Sequence, residues 1–254
     1  MSASPKLRGV LLGAGVLAGF STRIGGNSEA PFHSLNVALT VGDDPELVRA
    51  NRSAFASTIG AHREHLIWGE QPHGGQVAVL TDPSEAADQS GDRPIEGVDA
   101  LVTSVAGRVL CIRVADCLPV LLADAEAGII GAAHAGRRGL VAGVLANTVA
   151  AMESIGAGRA RIRAVIGPAV CGRCYEVPEA LAAEFDAAVP GTRAVTSTGT
   201  PSLDLPLAGR LLLEQSGVGS VESPGDCTAE QPDLWYSYRR SARTGRFAGF
   251  VVLS

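Results

Sequence analysis

Three residues of this sequence carry side chains that bind metals or attack electrophiles: two histidines among small neighbours, and a cysteine that ends an apolar strand just before a proline. They are His73 in EQPHGGQV, Cys117 in VADCLPVLLAD and His134 in AAHAGRRG. Imidazole and thiolate are donors for zinc and for copper, and without a metal the same groups form a nucleophile with its base. Gly74 and Gly75 permit a tight turn and close backbone approach beside His73, as the small Ala135 and Gly136 do beside His134. A Cys-His-His set with one open position has the composition of a catalytic zinc site, whereas a closed structural site needs a fourth protein ligand. The three residues lie far apart in the chain. Spacing alone therefore leaves zinc, copper and a metal-free Cys–His pair all open.

The remaining polar features carry weaker signals. His62 and His65, three apart in AHREHLIW, read as a solvated helix end, and His33 sits in the polar turn PFHSLN. CGRC at 171–174 is a lone CxxC. A redox or zinc role for it needs a thioredoxin-like context or a second pair, so its thiols read as small, partly buried groups in a tight turn. Cys111 reads as core. Arg23 in STRIGG, Arg137 and Arg138 in HAGRRG, and Arg239 and Arg240 in YSYRR supply forks that match phosphate, and Arg23 and Arg138 stand close to glycine. GAGVLAG does not fit G-x-G-x-x-G, which argues against a dinucleotide loop there.

These residues need elements to hold them. Short β-branched runs predict strands at Gln76 to Leu80, Ala100 to Thr103, Val109 to Val114, Val120 to Asp124, Ile129 to His134, Arg163 to Ile166 and Phe247 to Leu253. Cap residues and apolar periodicity predict helices in DDPELVRANRSAFASTIG, in GLVAGVLANTVAAMESIG, in VPEALAAEFDAAV and in LPLAGRLLLEQSGV. His73, Cys117 and His134 then each fall at a strand end, where they could converge on one edge of a sheet. TDPSEAADQSGDRPIEGVDA, residues 81 to 100, reads as a surface excursion. The N-terminal MSASPKLRGVLLGAGVLAGF reads as a first strand or hairpin rather than a leader, since its apolar stretch is broken by glycines and shows no clear cleavage site.

The chain of 254 residues is 46% hydrophobic and 19% charged, enough to bury a substantial core. A net charge of −5 argues against a general nucleic-acid surface, and no apolar run reaches the length of a membrane span. Five cysteines, an odd number, favour a reducing compartment, so the expected location is cytoplasmic. Nothing in the sequence sets an oligomeric state.

STRIGGNS, LNVALTVGDD, QPHG, ADCLPVLLAD, AAHAGRRG, GPAVCGRCYEV and CTAEQPDLWYSYRR occur in that order. In these motifs the chain, from about Ser21 onward, resembles the YfiH or laccase-domain family, whose members are also called multicopper polyphenol oxidases or peptidoglycan editing factors. The resemblance implies one domain over residues 1–254 with an α+β fold. Mixed β-sheets would pack as a sandwich with flanking helices, similar to the catalytic domain of cytotoxic necrotizing factor. It implies a metal triad on His73, Cys117 and His134, with zinc as the ion and copper claimed for some members. Where the family usually has Val and Trp, this chain has Pro72 and Arg137, which puts substrate preference rather than metal binding in question.

Three activities are described for the family: phosphorolysis of purine nucleosides with adenosine deamination alongside, removal of L-Ser from a UDP-MurNAc precursor, and copper-dependent phenol oxidation. A laccase moves electrons through several coppers, and too few histidines remain beyond the triad to hold them. The expected function is therefore a zinc-dependent purine nucleoside phosphorylase acting on adenosine, inosine and methylthioadenosine. Precursor editing is the alternative. Arg23 and Arg138 are expected to hold phosphate, Asn36 to bond sugar or base, and Asp116 to contact substrate or support the metal site.

Overall fold

The computed structural model describes residues 4–82 and 90–253. Part of the expected excursion at 81–100, residues 83–89, lies outside the described residues.

Two mixed sheets are stacked face to face with helices on their outer surfaces. The N-terminal apolar stretch forms the expected hairpin, β1 (Leu7–Val10) antiparallel to β2 (Val16–Ser21). With β3 (Leu66–Trp68), β6 (Val109–Val114) and β13 (Phe247–Leu253) it makes a sheet of order β1-β2-β13-β6-β3. The second sheet has the order β12-β9-β7-β8-β5-β4. It is built from β4 (Val77–Leu80), β5 (Ala100–Thr103), β7 (Leu118–Asp124), β8 (Ile129–Ala135), β9 (Arg163–Ile166) and β12 (Ser220–Glu222). A small hairpin, β10 (Arg193–Val195) with β11 (Pro201–Leu203), stands apart.

Side-chain alternation along the strands divides the core. Phe20, Leu110, Ile112 and Val251 of the first sheet meet Leu101, Leu121, Ala132 and Val165 of the second, all buried, and close the sandwich. The opposite faces carry the helices. Helix α1 (Pro45–Thr58) starts with Asp44 accepting from the Glu46 amide and Pro45 in the first turn. Its Phe55 packs edge-on against Phe250 of β13, with ring centroids 5.4 Å apart. On the far side Val120, Leu122 and Ala133 pack against α3 (Val144–Ser154) and α5 (Leu205–Gln215). A further helix, α4 (Glu179–Ala188), packs against the β10–β11 hairpin. Every residue of β7 and β8 is buried, as expected for central strands covered on both faces.

The expected single helix over 139–156 is two helices, α2 (Arg137–Val141) and α3. Gly143 breaks it at φ 79°, a left-handed conformation that glycine adopts without a Cβ penalty. The break lets the turn at Gly74–Gly75 lie against the junction. Asn147 Nδ2 donates to the Gly75 carbonyl at 2.8 Å, and a Cβ on Gly75 would lie 2.4 Å from the Ala142 carbonyl oxygen. Among the described residues no helix is long and apolar enough to cross a membrane.

The pairing senses decide where the loops gather. β7 runs antiparallel to β8 and to β9, β8 antiparallel to β5, and β5 parallel to β4. The starts of β4, β5 and β7 and the ends of β8 and β9 therefore share one end of the sheet.

Candidate metal centre and its pocket

His73 precedes β4, Cys117 sits in the tight link from β6 to β7, and His134 is the penultimate residue of β8. The structure brings all three together at the shared sheet end. Cys117 Sγ lies 3.8 Å from His73 Nε2, and one donor atom from each residue lies within 4.8 Å of the others. The two imidazoles meet edge-on with centroids 4.8 Å apart. A Cβ on Gly136 would lie 2.8 Å from His73 Cδ2 and 3.0 Å from Cys117 Sγ, so the site needs glycine there. Two imidazoles and one thiol, facing a pocket on their open side, fit an ion such as zinc or copper.

Asp99, which sequence reasoning does not single out, holds the site together. It is buried just ahead of β5, where an acidic residue reads as an ordinary turn former. Its Oδ1 accepts from the His73 amide at 2.9 Å and from His134 Nδ1 at 2.8 Å, and its Oδ2 accepts from the Gly74 amide at 2.6 Å. Burial pushes this carboxyl up, but the His134 and backbone hydrogen bonds outweigh burial and hold it below its ordinary value. With Nδ1–H given to Asp99, His134 presents the lone pair of Nε2 to the site.

The electrostatics favour an ionised thiol. Burial raises the Cys117 pKa, yet the charge and hydrogen bonds of His134 and His73 bring it down to about 6. Burial likewise lowers His134, and Cys117 and Asp99 outweigh it, raising His134 to about 9. Each of the two groups thus favours the charged form of the other.

The backbone around the site is strained. Among the described residues only Gln71, His73 and Asp116 have positive φ without being glycine, at 66°, 67° and 90°, and all three line one cavity. Such conformations cost of order 1–3 kcal/mol each and persist where the surroundings over-determine them. Gln71 is clamped to β6, accepting from the Arg113 amide at 3.0 Å and donating to the Arg113 carbonyl at 2.7 Å. Asp116 accepts from Thr228 Oγ1 and from the Arg239 amide, both at 2.5 Å. It thus ties the wall of the site to the two C-terminal loops.

The cavity measures about 730 Å³, within the usual range for small-molecule sites. Arg113, Arg137, Arg239 and Arg246 line it with Tyr175 and Tyr238, and Glu70 adds an acid. Burial draws the Arg113 guanidinium down to about 10, still cationic at neutral pH. Arg239 lies over the Tyr175 ring at 4.9 Å and Arg246 over Tyr238 at 5.8 Å. Arg137, the departure from the family's usual Trp, is part of this wall.

Three residues expected at the site lie elsewhere. Arg23 directs its guanidinium to the carbonyls of His33 and Pro232, at 3.0 and 2.8 Å, and lies over the Tyr236 ring. Asn36 is fully buried and organises its own loop through Ala38, Asp43 and the Arg246 amide. Arg138 is exposed, one position past Arg137, and does not line the cavity. Nearness to a motif in sequence does not say which way an arginine turns. Asp116 does line the cavity, but its two oxygens are engaged by Thr228 and Arg239.

His62 and His65 pack edge-on across a short 3-10 turn, His62 just before it and His65 at its end, and among the described residues they join no cluster of metal-binding groups. CGRC is not the lone pair it looks in sequence. The fold brings Cys227 and Glu230 to Cys171 and Cys174, with one donor atom from each within 4.8 Å of the others.

Known proteins resemble this chain over most of its length. A family model described as multi-copper polyphenol oxidoreductase laccase matches residues 17–254. A purine nucleoside phosphorylase of Streptomyces coelicolor is 48% identical over 92% of this chain and 94% of its own length. Another purine nucleoside phosphorylase, from Corynebacterium glutamicum, is 44% identical over 92% of this chain and 93% of its own. Among solved structures, YlmD from Geobacillus stearothermophilus superposes with a TM-score of 0.88 at 33% identity, covering 94% of this chain and 92% of its own.

Proposed function

We propose, from the premise that this chain belongs to the multi-copper polyphenol oxidoreductase laccase family, that it is a zinc-dependent purine nucleoside phosphorylase. Its substrates on this reading are inorganic phosphate with adenosine, inosine or methylthioadenosine. The observation that carries the reading is one cavity holding a two-His, one-Cys donor set beside four arginines and two tyrosines. The names of the Streptomyces and Corynebacterium relatives support it.

Phosphorolysis joins a phosphate oxygen to the anomeric carbon while the bond from that carbon to the purine nitrogen breaks. Ribose 1-phosphate and the free base result. The phosphate brings concentrated negative charge, and Arg137, Arg239 and Arg246 offer guanidiniums on the cavity wall that match it. The faces of Tyr175 and Tyr238 suit a purine ring. His73, Cys117 and His134 would hold the zinc ion, which when bound supplies Lewis acidity toward a substrate oxygen. Asp99 keeps His134 in the tautomer that can ligate, and the strained turn at 71–73 keeps His73 aimed at Cys117. The same donor set and cavity suit adenosine deamination as a side activity.

Laccase chemistry is disfavoured by ligand type. The other metal-capable group among the described residues contains three cysteines and a glutamate but no histidine, which does not suit a cluster of copper ions with imidazole ligands.

The test is to incubate the protein, purified without chelator, with each nucleoside and inorganic phosphate, and to score ribose 1-phosphate and free base by mass. Phosphate-dependent formation of both is expected, with near one zinc at the triad. Unchanged nucleosides, together with free serine from UDP-MurNAc-L-Ser in a parallel tube, would replace this reading by precursor editing.

A further inference from the structure

A second group of soft donors sits at the same sheet end, outside the substrate cavity. Cys171 and Cys174 flank a tight turn after β9, in which the Cys174 amide donates to the Cys171 carbonyl at 2.9 Å. Cys227 lies on the strand-like segment that bridges to Ala169, with Thr228 N donating to the Ala169 carbonyl at 3.0 Å. Glu230 follows at the same x2 spacing as in the first pair, so the four residues read Cys-x-x-Cys and Cys-x-x-Glu. Sequence reading misses the second half because its last donor is a carboxylate.

We propose that Cys171, Cys174, Cys227 and Glu230 form a closed, four-ligand zinc site, separate from the triad. The geometry is that of donors around a common centre. Glu230 Oε1 lies 3.9 Å from Cys171 Sγ and 3.6 Å from Cys174 Sγ, and donor atoms from all four residues are within 4.8 Å of one another. A tetrahedral zinc ion with Zn–S bonds of about 2.3 Å sets its sulfur ligands roughly 3.8 Å apart. A disulfide would join two of these sulfurs at about 2.05 Å and leave the third thiol and the carboxylate without a role.

The surroundings complete the site. The Cys171 amide donates to Cys227 Sγ at 3.4 Å, which supports negative charge on that sulfur. Arg173, between the two cysteines of the turn, grips Glu230 with contacts of 2.9 and 3.0 Å and fixes the carboxylate's direction. Three thiolates and a carboxylate carry four negative charges. Zinc and Arg173 together offset three of them, so the group is near balance only with the ion in place. Cys227 is buried, while Cys171 and Cys174 are partly exposed, so an ion can enter from solvent.

The consequence reaches the substrate cavity. Val170 and Tyr175 line that cavity directly beside Cys171 and Cys174, and Thr228 beside Cys227 holds Asp116. The ion would fasten the 168–175 turn to the 226–230 loop and so fix one wall of the pocket. Its role is positional, because all four ligands come from the protein and no position stays open. This site does not depend on which reaction the cavity performs.

The full-length protein is purified without chelator and its zinc counted per chain, alone and in variants. Two zinc ions are expected in the wild type and one in Cys117→Ala. One or fewer is expected in Cys174→Ser, and Glu230→Gln should lose the second ion to a chelator faster. Loading with Co2+ gives an independent reading. The thiolate-to-cobalt charge-transfer band should largely survive Cys117→Ala and largely vanish in Cys174→Ser, since three of the four ligand thiolates belong to the second site. In the wild type, maleimide labelling followed by peptide mapping should find Cys171, Cys174 and Cys227 protected when Zn2+ is present and labelled after it is stripped. A single ion that Cys117→Ala removes entirely would overturn the proposal. So would equal labelling of the three cysteines with and without Zn2+, or a disulfide among them in the freshly purified protein.

Discussion

Replacing Asp99 by Asn removes one charge and changes one oxygen to an NH2 with almost no change in shape. The wild-type carboxylate accepts three N–H groups, from His73, Gly74 and His134. If the Asn oxygen takes the place of Oδ1, the His73 and His134 bonds survive but the NH2 faces the Gly74 amide, donor against donor. If it takes the place of Oδ2, two contacts are spoiled and His134 must move its proton to Nε2, the nitrogen that faces the site. The first orientation is the cheaper. It loses one charge-assisted bond and strands a buried amide, a cost of about 2 kcal/mol. In a domain of this size that lowers Tm by about 4–8 °C. The released turn carries His73 in its strained conformation, so metal binding suffers too. Loss of an outer partner of this kind typically weakens metal affinity about 10–100-fold. Zinc affinity is measured by competition with a chromophoric chelator, and Tm by calorimetry of the chelator-stripped protein. Unchanged zinc affinity in Asp99→Asn would refute the claim that this carboxylate positions the triad, whatever the Tm.

Three other outcomes follow from the same geometry. Gly136→Ala places a methyl against both His73 and Cys117; zinc affinity should fall at least about 10-fold, and zinc binding as tight as wild type would show that the triad tolerates a wider opening. Arg137→Ala should raise the KM for phosphate about 10-fold through a lost charge-assisted contact while leaving Tm within a degree or so, and an unchanged KM would remove this residue from the phosphate wall. Asp124 is buried at the end of β7, where burial pushes its carboxyl up but Arg161, Gly158 and Ala127 outweigh burial and hold it down. Its contribution is therefore present above the unfolded value of about 3.9 and is lost as pH falls through the lower folded value. Asp124→Asn should cost about 1–3 kcal/mol near pH 7 and progressively less in acid, so denaturant curves with an equal gap at pH 7 and pH 3 would contradict this.

Much of the frame is legible in sequence where residues are β-branched and bounded by turn formers. Ala100–Thr103, Val109–Val114, Arg163–Ile166 and Phe247–Leu253 begin and end where those runs do. β7 begins two residues earlier than its β-branched run. Proline is tolerated near the start of a strand, and Pro119 pairs opposite His134 there. Strands β3, β10 and β12 are three residues each, too short for alternation to show, and their existence is decided by the neighbour they pair with. At the site, residue type and small neighbours mark out His73 and His134, and a strand end before Pro119 marks out Cys117, while it is the resemblance to the family that joins the three as a metal triad. Asp99 and Arg113 are not legible, because an acid before a strand and an arginine within one look ordinary until their partners are known. Arg23 and Asn36 show the reverse. Both belong to motifs typical of the family, yet their hydrogen bonds hold the loop at 33–43 and the segment around Pro232 rather than facing the cavity.

The chain passes from the first sheet to the second through this site twice, between β3 and β4 by way of His73 and between β6 and β7 by way of Cys117. The three donors all border strands of the second sheet, yet the first sheet helps to aim them: Gln71, two residues before His73, is clamped to Arg113 of β6. An ion that binds best when the donors are so aimed pulls the equilibrium toward the docked sheets by mass action. Zinc at the triad would thus reward the mating of the two halves.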